Sequence, residues 1–373
     1  MATNKQKDAN NNNNFTYKLG VLKNASFDKF MEVIDELHRR TGKSKAFLIA
    51  DVLRCMKKFD AGYYDYQIFQ WYNLKDWQKD TYLTRFRSKK FIMLMNDQAY
   101  SHCFDNKVEF NELFKDFIGR EFLDVENASK EDVVKYFNGR DKIFCKMLDL
   151  ACGKGAELIH TKDFKDGEAF YDYVKFKGFG TLEDVIENHP DLAEMYPCAA
   201  NCMRMITAID DDGVPHLIYC VQKFGNEGRI VDNYGLHGPI DLETGEFLFQ
   251  AHPGETTSDI LYDTHPYTGK PLIGFKTPFF AEAKEMILKA ALVVPQIRYV
   301  GWDVAITPNG PAIIEGNDYC AHDFWQLPGQ TPGGIGAMPM LEKLIPEYRV
   351  RKQAGKQEHL LKAVDNRGYY KGE

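Results

Sequence analysis

A carboxylate inside an apolar strand is an unusual placement, and the run Trp302-Asp303-Val304-Ala305-Ile306 contains one. The turn Thr307-Pro308-Asn309-Gly310-Pro311 follows, and the returning strand Ala312-Ile313-Ile314 delivers Glu315 and Asn317. An antiparallel hairpin of this length brings Asp303 near both. Side chains two apart on a strand share a face, so Glu315 and Asn317 point the same way. Two carboxylates and an amide oxygen on one face form a hard-oxygen set of the kind Mg²⁺ uses with nucleotide phosphates. Either acid alone could be a solvated strand residue; their joint placement within apolar strands favours a metal site.

Two further constellations carry weaker signals. The loop Gly153-Lys154-Gly155 follows a strand bearing Lys146. Glycines let backbone amides approach phosphate oxygens, and an inward lysine neutralises their charge. Gly-Lys-Gly is equally an ordinary hairpin tip, and the Walker A spacing is absent. The stretch Leu182-Glu183-Asp184-Val185-Ile186-Glu187 could link two lobes, its backbone offered to adenine and a carboxylate to ribose hydroxyls. A surface helix N-terminus explains it as well. Downstream, Arg204 sits in a strand from which a guanidinium could grip a phosphate bidentately.

Other chemistries find no support. There is no His-Glu-x-x-His helix, no Gly-x-Ser-x-Gly elbow and no Gly-x-Gly-x-x-Gly after a strand. His237, His252 and His265 fall in segments read as loops and are expected to be surface or hydrogen-bonding histidines. The eight cysteines form no Cys-x-x-Cys pair, and no His-Cys cluster has zinc-ligand spacing, so reduced thiols in a cytoplasmic protein are expected.

The elements that must position these residues follow from periodicity. Apolar residues recur at helical steps from Ser26 to Lys58, broken at Gly42, and Tyr63–Arg87 reads as helical with aromatic anchors. Phe91–Met95 reads as a short buried strand, Lys107–Phe117 and Asp132–Asn138 as helices, and Ile143–Leu150 as a strand. Tyr171–Ile186 alternates strand and loop signals. Strands are expected at Met203–Asp210, Pro215–Phe224, Val300–Thr307 and Ala312–Glu315, and a long helix at Pro278–Val293. Asp241–Glu246 reads as a hairpin turn. Without a regular βαβ rhythm the mixture argues for an α+β fold. The expected division is a disordered tail (1–14), a helical N-terminal subdomain (15–98), two lobes (99–180 and 181–348) and a charged C-terminal tail (349–373).

Composition agrees with an ordinary soluble globular protein: 373 residues, 44% hydrophobic, 27% charged, net charge −7. The basic residues are dispersed, which argues against a nucleic-acid binder, and no apolar run approaches bilayer length. The N-terminus lacks the apolar core of a signal peptide.

Taken in chain order the motifs resemble the ATP-grasp superfamily, and within it the sugar-transfer-associated branch. The resemblance covers about Ser101 to Lys343. It rests on Asn106-Lys107, Cys145-Lys146 with Gly153-Lys154-Gly155, His189-Pro190-Asp191-Leu192 and Asn201 with Arg204. It continues through Val231-Asp232-Asn233, His265-Pro266 and Gly274-Phe275 to Gly301-Trp302-Asp303-Val304 and Glu315-Gly316-Asn317. It implies ATP clamped between two α+β lobes, with a helical extension ahead of them. Lys107 and Lys146 would reach the nucleotide from the first lobe, and the Gly153–Gly155 loop would close over its phosphates. Glu183 and Val185 would form the adenine hinge, with Glu187 a ribose contact. Asp303, Glu315 and Asn317 would hold Mg²⁺, and Arg204 and Lys223 would stabilise the transferring phosphoryl group. The implied chemistry is carboxylate activation as an acylphosphate followed by capture with an amine. A sugar-linked carboxylate or an amino acid would be the substrate, in cell-surface glycan or related biosynthesis. Cys202 and Lys223 stand where the family pattern has Thr and Arg, and the loop 234–239 lacks a Gly-Gly pair.

Overall fold

The computed structural model describes residues 27–147, 155–229, 232 and 235–348. The chain opens with helices α1 (Phe27–Thr41) and α2 (Lys45–Phe59), separated by Gly42 at φ +69°. Helix α1 buries Phe30, Val33, Ile34 and Leu37, the stripe its spacing requires. The Ser44 hydroxyl caps α2 by accepting from the Phe47 amide. Short helices α3 (Tyr63–Ile68) and α4 (Asp76–Lys79) close a core around Phe59, Tyr66, Phe69 and Trp71.

Helix α5 (Arg85–Met95) corrects the strand expected at Phe91–Met95. Phe91, Ile92 and Met95 are buried while Leu94 is exposed, which is helical spacing at the end of a segment that begins among basic residues. Helices α6 (His102–Asp105) and α7 (Lys107–Leu113) follow, the latter capped by the Asn106 side chain accepting from the Val108 and Glu109 amides.

A four-stranded antiparallel sheet comes next, ordered β1-β4-β2-β3, from β1 (Phe122–Asp124), β2 (Lys142–Lys146), β3 (Ala156–His160) and β4 (Thr181–Glu183). Helices α8 (Lys130–Phe137) and α9 (Gly167–Lys177) share its core through Val133, Phe137, Phe170 and Val174 against Ile143, Cys145 and Leu182. Helix α9 replaces the strand-and-loop pattern expected from Tyr171; the aromatic-rich run repeats at helical spacing and ends at Gly178, φ +73°. The lobe boundary expected at 180/181 therefore falls just before the strand that joins the middle of this sheet.

Helix α10 (Pro190–Met195) leads into a six-stranded antiparallel sheet of order β10-β9-β5-β6-β7-β8. Its strands are β5 (Met203–Ile209), β6 (Pro215–Phe224), β7 (Leu236–Pro239), β8 (His252–Pro253), β9 (Tyr299–Thr307) and β10 (Gly310–Asn317). One face, with Met203, Met205, Cys220, Trp302 and Val304, packs on α11 (Phe280–Ala290). The other, with Ile206, Tyr219 and Val221, packs on α5, Trp325 and helix α12 (Met338–Leu344). The segment after β10 is thus a strap across one end of the sheet. It is tied to the helical N-terminal layer by His322 Nε2–Asp65 Oδ1 (2.8 Å) and by Gln326 Oε1, which accepts from the Leu83 amide. Among the described residues no helix is long and apolar enough to cross a membrane.

Candidate functional site

The β9–β10 hairpin begins with Ala312 opposite Ala305 and Ile313 opposite Val304, a register that would put Ile314 opposite Asp303. A β-bulge between Ile313 and Glu315 adds one residue, and Glu315 stands opposite Asp303 instead, with Asn317 opposite Gly301. Directly opposed residues share a face, so the bulge turns both Glu315 and Asn317 onto the face that carries Asp303. The Asn317 amide nitrogen donates to the Gly301 carbonyl (3.3 Å).

On the other side of β9, strand β5 places Arg204 opposite Asp303. The guanidinium grips the carboxylate with two bonds, Nε–Oδ1 at 2.6 Å and Nη2–Oδ2 at 2.9 Å. Lys223 Nζ lies 3.7 Å from the same carboxylate and 3.1 Å from Asp232 Oδ1. Asp303 is only 7% exposed. Burial alone would raise its pKa, but the charges of Arg204 and Lys223 outweigh this and hold it below the ordinary carboxylate value. Glu315, open to the cleft, shifts the opposite way, first by partial loss of water and then by the charge of Asp303. Two acids this close compete to ionise, and an added cation would relieve the competition.

The four-stranded sheet supplies a second charged cluster. Glu183 is buried between Lys146 Nζ (2.8 Å) and Arg120 Nε (2.8 Å). Burial would push its pKa up, but Lys146 and then Arg120 bring it down to about 2. Arg120 also donates to the carbonyls of Ile313 (2.7 Å) and Ile314 (3.2 Å), bracing the bulge. Burial lowers the Lys146 pKa, with Glu183 opposing, and Lys146 and Glu315 feel each other's charge. A cationic group of one sheet is therefore close enough to Glu315 of the other for their charges to interact.

The structure brings Lys146, Arg204, Lys223, Asp303, Glu315 and Asn317 into this region. The Glu183 side chain anchors Lys146, and its strand pairs on both edges. Val185 (half-buried) and Glu187 (exposed) lie on the extended link between the sheets, which His189 fastens by donating its amide to the Ile306 carbonyl (2.7 Å). Lys107 Nζ donates to the Met147 carbonyl (2.9 Å), just past β2. Gly155 has φ +73° at the far side of the loop, while Gly153 and Lys154 lie outside the described residues.

The sequence gives no sign of Arg120 or the bulge, and it offers Asp232 only within the motif Val231-Asp232-Asn233, without its partner Lys223. Of the three histidines read as loop residues, His237 and His252 lie in strands, and His252 and His265 make the hydrogen bonds expected of them. His237 and His252 are buried in β7 and β8 and stack at 6.1 Å, and His237 stands opposite Lys223. Burial, then His252 and Lys223, push the His237 pKa down to about 3. His265 is fully buried, with Nε2 2.8 Å from the Gly225 carbonyl.

With this geometry in place, comparison with known proteins is informative in one respect. Residues 169–343 match the sugar-transfer associated ATP-grasp family. The matched span runs from α9 through all six strands of the larger sheet and holds Arg204, Lys223, Asp303, Glu315 and Asn317. The fold is α+β, and the helical N-terminal layer lies outside the match. No curated protein matches the chain. Among solved structures, ATP-grasp ligase PsnB, complexed with a minimal precursor, Mg and ADP, is 13% identical at a TM-score of 0.39, covering 72% of this chain and 67% of PsnB. D-alanyl-alanine synthetase A from Vibrio cholerae is 16% identical at 0.37, covering 68% and 65%. N5-carboxyaminoimidazole synthetase from Staphylococcus aureus, complexed with ADP, is 11% identical at 0.39, covering 63% and 52%. The chain spans about two thirds of the first two proteins and about half of the third. Likenesses this distant carry no argument about activity.

Proposed function

We propose that the protein is an ATP- and Mg²⁺-dependent ligase that joins a carboxylate to an amine. The observation that carries this reading is the opposition of Asp303 and Glu315 across β9 and β10, facing the lysine of the smaller sheet. The two sheets would form the two lobes of the nucleotide clamp, with 184–189 as the link between them.

The donor set fits a hard dication: two carboxylates and an amide oxygen on one face, with Glu315 held reluctant to ionise beside Asp303. Asp303, Glu315 and Asn317 would hold Mg²⁺, which supplies charge neutralisation at phosphate oxygens. Lys146, positioned by Glu183, would meet the phosphates from the opposite side, with Lys107 and the 153–155 loop beyond it. Val185 and Glu187 would line the nucleoside end. In this scheme a substrate carboxylate attacks the γ-phosphorus, an acyl–oxygen–phosphorus bond forms, and ADP departs with the electrons of the broken bond. The amine lone pair then attacks the acyl carbon, a proton leaves nitrogen and phosphate departs. Arg204 would turn part of its hydrogen bonding from Asp303, and Lys223 from Asp232, to the phosphoryl oxygens as charge redistributes there. The carboxylate would be sugar-linked or an amino acid, in glycan or related biosynthesis.

The test is a matrix of carboxylates and amines assayed for ADP release, with products weighed by mass spectrometry. A product with the summed mass of the two substrates less one water, formed only with both present, supports the ligase. ADP release to a hydroxyl acceptor with no amine would make the protein a phosphotransferase.

A further inference from the structure

We propose that His102, Cys103 and Glu109 form a second metal site, selective for a borderline-soft divalent cation of the zinc kind. Three different donors converge where α6 meets α7. His102 Nδ1 lies 2.8 Å from Glu109 Oε1, Cys103 Sγ is 3.7 Å from that oxygen and 3.8 Å from Nδ1. One ligand atom from each lies within 4.8 Å of the others. Tetrahedral coordination at zinc bond lengths requires donor separations of roughly 3.3–3.7 Å. The two sulfur distances already stand near that range. The His102–Glu109 pair, drawn together by a hydrogen bond, has to open by about half an ångström, within the reach of side-chain torsions.

Sequence spacing conceals the site because the third donor is a carboxylate, and because adjacent His and Cys do not resemble a zinc-finger pair. The backbone nevertheless fixes them. Phe104, between the ligands and the core, packs on Phe110, Phe114 and Trp302. Asn106 joins the helices, its amide bonded to the His102 carbonyl and its side chain capping α7 over the Glu109 amide. Preorganisation of this kind lets a cation be held without ordering the chain.

The charges also suit a dication: one thiolate and one carboxylate supply two negative charges, and the imidazole is neutral when it binds. Binding releases the thiol proton. The sulfur separates this site from the oxygen set of Asp303, Glu315 and Asn317, which favours Mg²⁺. His102 is exposed, so a fourth position stays open to water. The location gives the cation a structural role. Phe104 lies so close to Gly316 that a Cβ there would sit 2.9 Å from the ring, so the metal would clamp the support beneath Glu315 and Asn317. The plain alternative is an ion pair above a buried thiol.

Cobalt(II) serves as the probe on the full chain without nucleotide. The site predicts one equivalent of cobalt that carries a near-ultraviolet thiolate-to-cobalt charge-transfer band, which zinc erases and millimolar Mg²⁺ does not. His102→Ala, on an exposed side chain, should weaken cobalt at least tenfold, as should Glu109→Gln. Cys103→Ser should abolish the band, and Cys198→Ser, at an exposed cysteine, should leave it intact. If Cys103→Ser fails to fold, His102→Ala decides. Absence of the band, its survival in folded Cys103→Ser, or an unchanged affinity in His102→Ala overturns the proposal. None of these readouts depends on nucleotide, so failure here leaves the ligase reading standing.

Discussion

Asp303 and Glu315 are neighbours with opposite demands, and substitution should separate them. Asp303 neutralises Arg204 and Lys223, so Asp303→Asn strands buried positive charge; a loss of about 3 kcal/mol follows from breaking a buried pair. Glu315 is held above its ordinary pKa, so near neutral pH its charge works against the ligand-free fold. Its contribution is favourable below the ordinary value and lost as pH rises through the raised one. Glu315→Gln should therefore melt at or slightly above the wild-type temperature at pH 7 while losing Mg²⁺ response. Thermal melts of the two variants without nucleotide check the opposite signs; equal losses would contradict the assignment. The sequence made these residues legible because acids inside apolar strands stand out. Arg120 was not legible, since its partners Glu183 and Ile313 are remote in sequence and only folding brings them together.

At the scale of elements, the bulge decides the site. The hairpin was readable from its apolar strands and its Asn-Gly turn, but a plain register would have opposed Ile314 to Asp303 and turned Glu315 away. An added residue leaves no mark in composition or periodicity. What fixes it is Arg120, whose guanidinium holds the Ile313 and Ile314 carbonyls and the Glu183 carboxylate together. Arg120→Met should lower stability by about 3 kcal/mol, because Glu183 stays buried with Lys146 alone. Urea unfolding measures this, and a change below about 0.5 kcal/mol, the range of surface substitutions, would count against the brace. The helices misread as strands, α9 and the end of α5, share one cause. Short apolar or aromatic runs look alike in either period, and only their packing partners settle which forms.

For the whole molecule, the helical N-terminal layer was legible as helices but not in its attachment. Asp65 accepts from the Gly62 and Arg85 amides and pairs with His322 on the strap, whose Phe324 ring lies under the Arg204 guanidinium at 5.9 Å. Burial alone would lower the His322 pKa, but Asp65 outweighs it and raises it. A raised histidine contributes stability that is full below about 6.5 and is lost as pH climbs through the folded value. His322→Gln should remove that part of the pH dependence, read as urea midpoints from pH 5.5 to 8.5. An unchanged slope would show that the pair does not couple the layer to the strap.

The central claim is that the faces carrying Lys146 and the Asp303–Glu315 pair bind ATP through a shared dication. Calorimetric titration of ATP into wild type and Glu315→Gln, with and without Mg²⁺, tests it most directly. The account predicts binding to wild type that tightens with Mg²⁺, and a Mg²⁺ effect that is lost in Glu315→Gln while the variant stays folded. Equal Mg²⁺ enhancement in both proteins, or no ATP binding to wild type at millimolar concentrations, would contradict it.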